Sequence, residues 1–271
     1  MRVTVRGGGV GTLPGMSAGP VRDDAGMDEE TLAGGTVSTV VRIGDTVRRT
    51  PGPRPGFVRD LLVALESAGW PGAPRHLGTD PAGREVLSFL PGYVAWQDDP
   101  PAAVRAEPAL TAVAVLVRQF HDLTAGSALA GDREVVCHND LAPRNTVYAD
   151  GFRPAAFIDW DLAAPGDRIA DVAHVCWQYV PLRPGTDPAR AARTLAAVAD
   201  AYDPGRELID RGALLDTVLW WQDRCRRGIE SAADAGDPAM VRLREHGAVR
   251  SVRAAYEWTA AHRATLSTSL A

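Results

Sequence analysis

The sequence predicts an α+β protein in two lobes, a small antiparallel-sheet lobe with one helix followed by a larger, mainly helical lobe. Three observations carry that expectation. Two strand-like runs, 37–43 and 46–50, flank the turn pair Gly44 and Asp45, which is the pattern of a hairpin. Beyond residue 109 the composition turns helix-rich, with apolar residues at helical spacing. The chain has 271 residues, 45% of them hydrophobic, so it can bury a substantial core.

Taken in order, residues 1–27 are rich in glycine, carry Pro14 and Pro20 and have few large apolar side chains. Such a segment cannot offset the entropy of ordering and is expected to be a flexible tail. The first lobe is placed at 28–91. It contains the glycines Gly34 and Gly35, then the hairpin, then a helix over 57–68 whose face is Phe57, Leu61, Leu62, Leu65 and Ala68, and a strand at 85–90 that Pro91 and Gly92 end. The second lobe is placed at 92–271, with helices over 109–123, 189–201, 208–230 and 240–264. Between the first two of these, short strands at 146–148 and 155–158 are joined by Ala149, Asp150 and Gly151, a hairpin-turn signal.

The net charge of -5 and the interspersed acidic and basic residues exclude an electrostatic footprint for nucleic acid or an anionic membrane. Partners are therefore expected to be small molecules, cationic ones included. Cys137, Cys176 and Cys225 are widely spaced and unpaired in pattern, so neither a disulfide framework nor a zinc site is expected, and a reducing cytoplasm fits. No apolar run reaches the length of a spanning helix. The chain contains no lysine, all 29 of its Lys-or-Arg positions being arginine.

The chemistry concentrates in His138-Asn139-Asp140-Leu141-Ala142-Pro143-Arg144-Asn145 and, after the short hairpin, Ile158-Asp159-Trp160-Asp161. Phosphoryl transfer asks little covalent help of a protein. It needs a carboxylate to orient the attacking hydroxyl, oxygen ligands for Mg²⁺ and a cover for the phosphates. Asp140 and Asn145 stand at the spacing H-x-D-x-x-x-x-N, and Asp159 opens the turn after the hairpin. A carboxylate and an amide suit Mg²⁺, a hard cation.

On these paired motifs the chain resembles the aminoglycoside phosphotransferase and choline kinase-like family, relatives of the protein kinases. The resemblance covers about residues 30–265. It implies a protein kinase-like fold and an ATP-dependent small-molecule kinase, with GTP as the alternative nucleotide, Mg²⁺ as cofactor and a hydroxyl acceptor such as an aminoglycoside or a similar amino sugar or alcohol. It further implies Asp140 as catalytic base or orienter, Asn145 and Asp159 as Mg²⁺ ligands, and His138 and Asp171 as structural support. Gly34 and Gly35 take the phosphate-covering turn.

Kinase-like folds place a lysine on the third strand, and here arginine must substitute. Val47 and Arg49 overlay that pattern, Arg49 pointing inward by period-two alternation and Val47 lining the adenine pocket, with Arg48 as the fallback. Asp60 and Glu66 are the helix carboxylates available to pair with this arginine. Ser88, Phe89 and Leu90 fall at the hinge that would read adenine through its backbone. Asp161, Asp223 and Glu230 are candidate substrate contacts, the latter two near Trp220 and Trp221. Trp177 is a weaker candidate, and His174 reads as an ordinary helix residue. A nucleotide-binding pseudokinase, prompted by the missing lysine, is the alternative. A metal-dependent hydrolase using His138, Asp140, Asp159 and His174 would need more clustered ligands than the chain supplies.

Overall fold

The computed structural model describes residues 29–32, 40–97 and 99–270, so the tail expected at 1–27 and both Gly34 and Gly35 lie outside the described residues. Strands β1 (Glu30–Thr31), β2 (Val41–Ile43) and β3 (Thr46–Arg49) are followed by helix α1 (Pro55–Ser67) and strands β4 (His76–Thr79) and β5 (Glu85–Ser88). These five strands form one antiparallel sheet in the order β1-β2-β3-β5-β4. The β2–β3 turn closes on Gly44 at φ 58°, a left-handed conformation that glycine adopts without Cβ strain.

The chain then enters the second lobe through β6 (Tyr93–Val94), α2 (Glu107–Thr124), β7 (Val135–Cys137), β8 (Thr146–Ala149), β9 (Arg153–Phe157) and β10 (Ala164–Gly166). Helices α3 (Arg168–Tyr179), α4 (Pro188–Tyr202), α5 (Leu214–Asp234), α6 (Pro238–Glu245), α7 (Ala248–Ala261) and α8 (Arg263–Ser267) complete it. Two small sheets, β6-β8-β9 and β10-β7, sit at the boundary between the lobes.

One core spans both lobes. Val58, Leu61, Leu62 and Leu65 of α1 join Val113, Val117 and Phe120 of α2, then Phe157, Trp160 and the inner faces of α3, α4 and α5. Trp70 bridges the junction, 5.9 Å from the Phe120 ring and 6.3 Å from Trp160 between centroids. At about 1.5–3 kcal/mol per buried large apolar side chain, this shared core fixes how the small sheet stands over the helical lobe and hence the cleft between them.

The expected strand at 85–90 stops at Ser88. The helix expected over 208–230 begins at Leu214, because Asp203 takes the Glu207, Leu208 and Ile209 N–H groups and Asp210 takes that of Gly212, holding the approach in turns. The stretch 240–264 is broken at Gly247, φ 85°, which separates α6 from α7. β4, β6, β7, β10 and α3 were not anticipated. β4 carries a bulge between His76 and Gly78, which breaks its alternation, and α3 buries Arg168, Asp171 and His174 along with its apolar residues, so its polar positions mark no solvent face.

Candidate active site

The catalytic-loop motif leaves β7 and turns at Asn139, whose φ of 65° is left-handed. What holds a non-glycine residue there is Asp171 on α3. Its carboxylate is fully buried and accepts the backbone N–H groups of His138 (2.7 Å) and Asn139 (2.9 Å). His121 Nε2 lies 3.2 Å from the same carboxylate, and its Nδ1 is 2.7 Å from the Tyr202 hydroxyl. A carboxylate only accepts, so Nε2 carries the proton and Nδ1 accepts from Tyr202, whose oxygen accepts from Arg168 at 3.1 Å. Burial pushes the Asp171 pKa up, but the hydrogen bonds from His121 and the loop N–H groups outweigh it and hold it low.

His138 works on the other side of the loop. Its Nε2 donates to the Ile158 carbonyl at 3.1 Å and its Nδ1 accepts the Asp140 N–H at 3.3 Å. The ring is buried and packs 4.5 Å from Trp160. It thereby ties Asp140 to the segment that presents Asp159.

Asp140, Asn145 and Asp159 are brought together on the cleft floor. Asn145 Nδ2 donates to Asp140 Oδ2 at 2.7 Å and to the Asp140 carbonyl at 2.8 Å, which leaves the amide oxygen free to accept. Arg144 donates to Asp140 Oδ1 at 2.9 Å. Asp159 sits at φ 65°, a second left-handed non-glycine residue. Burial and then the charge of Asp161 raise its pKa, against the pull of Arg49.

Arg49 reaches this floor from β3. Its Nε donates to Glu85 at 2.9 Å, one guanidinium nitrogen to Asp161 at 2.6 Å, and the other lies 3.4 Å from Asp159. Its partner is thus Glu85 on the neighbouring strand, where the β3–β5 register sets the two residues opposite each other. Asp60 instead meets Arg59 on the exposed face of α1. Arg48 points to the opposite face, buried, with Thr46 at 2.6 Å and Asp80 at 3.9 Å. Gly52 lets the chain pass directly over Asp161, for a Cβ there would lie 2.5 Å from the carboxylate carbon.

The cleft, about 2440 Å³, is also lined by Val47, Ser88, Phe89 and Leu90. Ser88 and Phe89 already donate their N–H groups to the Arg75 and Asp45 carbonyls, so among the three hinge residues only Leu90 keeps an N–H for a ligand. Asp161 faces Arg49 rather than the far end of the cleft. Asp223 lines that end, but Arg226 and Arg227 hold its carboxylate, each at 2.7 Å. Glu230 is a correction: it does not line the cleft, because α5 turns it toward Arg226 (2.8 Å) and Arg253 (3.4 Å). Trp177, Trp220 and Trp221 all line the wall. His174 is more than a helix residue, since its Nδ1 lies 2.9 Å from the Leu141 carbonyl of the catalytic loop. His121, Tyr202 and Arg168, which brace Asp171, were missed because their partners lie far off in sequence.

The donor set suits a hard divalent cation. Asp159 and the Asn145 amide present oxygen donors, and the Asn145 amide nitrogen is committed to Asp140 so that its oxygen faces outward to accept. The buried group of His121, Cys137 and Asp171 does not suit one, because the ring nitrogens and carboxylate satisfy one another and burial keeps the Cys137 thiol protonated. Among the described residues no helix is long and apolar enough to cross a membrane.

Residues 60–208 match the model of the phosphotransferase enzyme family. The trifolitoxin immunity protein of Rhizobium leguminosarum bv. trifolii is 28% identical over 277 aligned positions, covering 90% of this chain and 99% of that one. Among solved structures, a choline/ethanolamine kinase family protein from Mesorhizobium loti aligns with a TM-score of 0.50 at 18% identity, over 89% of this chain and 88% of that one. Aminoglycoside phosphotransferase APH(3'')-Id from Streptomyces rimosus, in complex with ADP and streptomycin, aligns at 0.52 with 19% identity, over 73% and 91%. The two-lobed, protein kinase-like fold is the one these structures share. With the paired motifs converging on one cleft floor and the family model matching more than half its length, the chain belongs to the phosphotransferase enzyme family, whose members are small-molecule kinases.

Proposed function

We propose that the protein transfers the γ-phosphoryl group of ATP, with GTP as the alternative donor, to a hydroxyl of a small molecule, using Mg²⁺. The observation that carries this reading is the convergence of Asp140, Asn145 and Asp159 on the floor of a cleft whose other wall bears Val47, Arg49 and Leu90. The ADP held by the Streptomyces rimosus neighbour is consistent with it. The nucleotide would lie under the small sheet, its adenine edge at the Leu90 N–H and its phosphates at Arg49. Asn145 and Asp159 would hold the metal, which when bound supplies charge neutralisation on the transferring phosphate.

Asp140 accepts the proton of the acceptor hydroxyl as the new O–P bond forms and the bond to the departing nucleoside diphosphate breaks. Its carboxylate is aimed by Asn145 and its backbone by His138. The full-length similarity to an immunity protein favours an acceptor that is itself toxic and is disarmed by phosphorylation. Among the described residues nothing in the site favours the pseudokinase alternative, since Asp140, Asn145 and Asp159 are all present and Arg49 offers an arginine in place of the missing lysine.

Asp140→Asn tests the reading. It keeps the shape but removes the proton acceptor, so turnover should fall about 10²–10⁴-fold, while the rise in thermal stability with Mg²⁺ and ATP persists. Turnover equal to that of the parent protein would overturn the assignment.

A further inference from the structure

The far end of the cleft, beyond Asp140, carries a charge balance opposite to that of the chain as a whole. The protein's net charge is -5, yet Arg144, Arg183, Arg224 and Arg227 line this end, and Asp223 is the one carboxylate there besides Asp140 among the described residues. Asp223 is spoken for twice, by Arg226 and Arg227. Arg183 and Arg224 are exposed and have no ion-pair partner among the described residues, and Arg224 lies 5.3 Å from the Trp220 ring centroid. Trp220 is itself 53% exposed, an apolar face open toward the same wall.

Resting on the phosphotransfer reading, we propose that the acceptor is an anionic hydroxyl compound with a flat apolar body, its carboxylate or phosphate facing Arg183 and Arg224 and its body against Trp177 and Trp220. A polycationic acceptor would meet unpaired guanidinium groups at this end, where among the described residues Asp223 is already held by Arg226 and Arg227 and Asp140 by Arg144. Arg144 couples this preference to the chemistry. It now bonds Asp140 Oδ1, and an anion in the cleft mouth draws it off, exposing that oxygen to the acceptor hydroxyl. A cation gives Arg144 no such second partner.

The test uses a matched pair of probes, phenyllactate and phenylalaninol, which share a ring and a hydroxyl but carry opposite charge. Binding to the full chain is followed by tryptophan fluorescence at low and high salt, with streptomycin as the polycation. Phenyllactate should bind at least about tenfold more tightly than phenylalaninol, the preference shrinking with salt and disappearing in Arg183→Glu/Arg224→Glu. Tighter binding of phenylalaninol or streptomycin, equal or no binding of the two small probes, or a preference unchanged in the double variant would overturn the proposal. The thermal shift with Mg²⁺ and ATP, measured on the same samples, separates the two readings. Preference for phenyllactate without a nucleotide shift sinks phosphotransfer and leaves the anionic wall standing, whereas a nucleotide shift without that preference sinks only the acceptor class.

Discussion

Arg49, proposed to take the place of a lysine, shows why such an exchange is not neutral. A guanidinium presents several donors in a planar fork, whereas an ammonium is a compact point charge. The fork lets Arg49 hold Glu85 through Nε while reaching Asp161 and Asp159 with its outer nitrogens. Burial opposes its charge, but Asp161, Glu85 and Asp159 together hold its pKa above the ordinary arginine value. Arg49→Lys cannot span the same set. We expect the KM for nucleotide to rise about tenfold, with a smaller fall in kcat and a stability loss of about 1–3 kcal/mol for the imperfectly paired carboxylates. Steady-state kinetics and urea unfolding would check this, and an unchanged KM would mean that Arg49 does not touch the phosphates. Strand alternation alone put Val47 and Arg49 on one face. It could not identify Glu85, because that pairing depends on the register between β3 and β5, and the helix carboxylates Asp60 and Glu66 were nearer in sequence.

At the scale of elements, α3 positions the catalytic loop although it contributes none of the groups proposed to react. The sequence offered Asp171 as structural support but no helix, since the polar residues Arg168, Asp171 and His174, which recur at helical spacing, are themselves buried and mark no solvent face. Nor could it offer His121, 50 residues from Asp171, or Tyr202 beyond it. These contacts exist only once α2, α3 and α4 pack together. Asp171→Asn keeps the volume, but one side of the amide then presents N–H groups to N–H donors. The variant should lose about 2–4 kcal/mol and much of its kcat, as the loop bearing Asp140 loses one of its two backbone anchors. A urea midpoint and kcat both near those of the parent protein would show that the left-handed turn at Asn139 holds itself.

For the molecule as a whole, the two lobes share one core, so what loosens the helical lobe also loosens the cleft, and its buried histidines make that pH-dependent. Burial lowers the pKa of both His121 and His174 below the ordinary 6.5. In the unfolded chain these imidazoles take up protons near pH 6.5, while in the native protein they stay neutral until the pH is lower still. The unfolded state therefore binds more protons in that window, and stability falls as the pH drops below about 6.5. Above about pH 7.5 both states are neutral and the two histidines contribute no slope. Asp171 acts in a separate window: its native pKa is depressed, so its contribution is present above the ordinary carboxylate value of 3.8 and is lost only as the pH falls through the native value. Urea midpoints should thus be level between pH 7.5 and 8.5 and decline from pH 6.5 toward 5. His174→Gln, which keeps a donor for the Leu141 carbonyl, should reduce that decline by up to one proton's worth of slope, about 1.4 kcal/mol per pH unit. A midpoint that stays level down to pH 5, or a decline that His174→Gln leaves untouched while stability at pH 8 is preserved, would show that His174 is protonated as readily in the folded protein as in the unfolded chain.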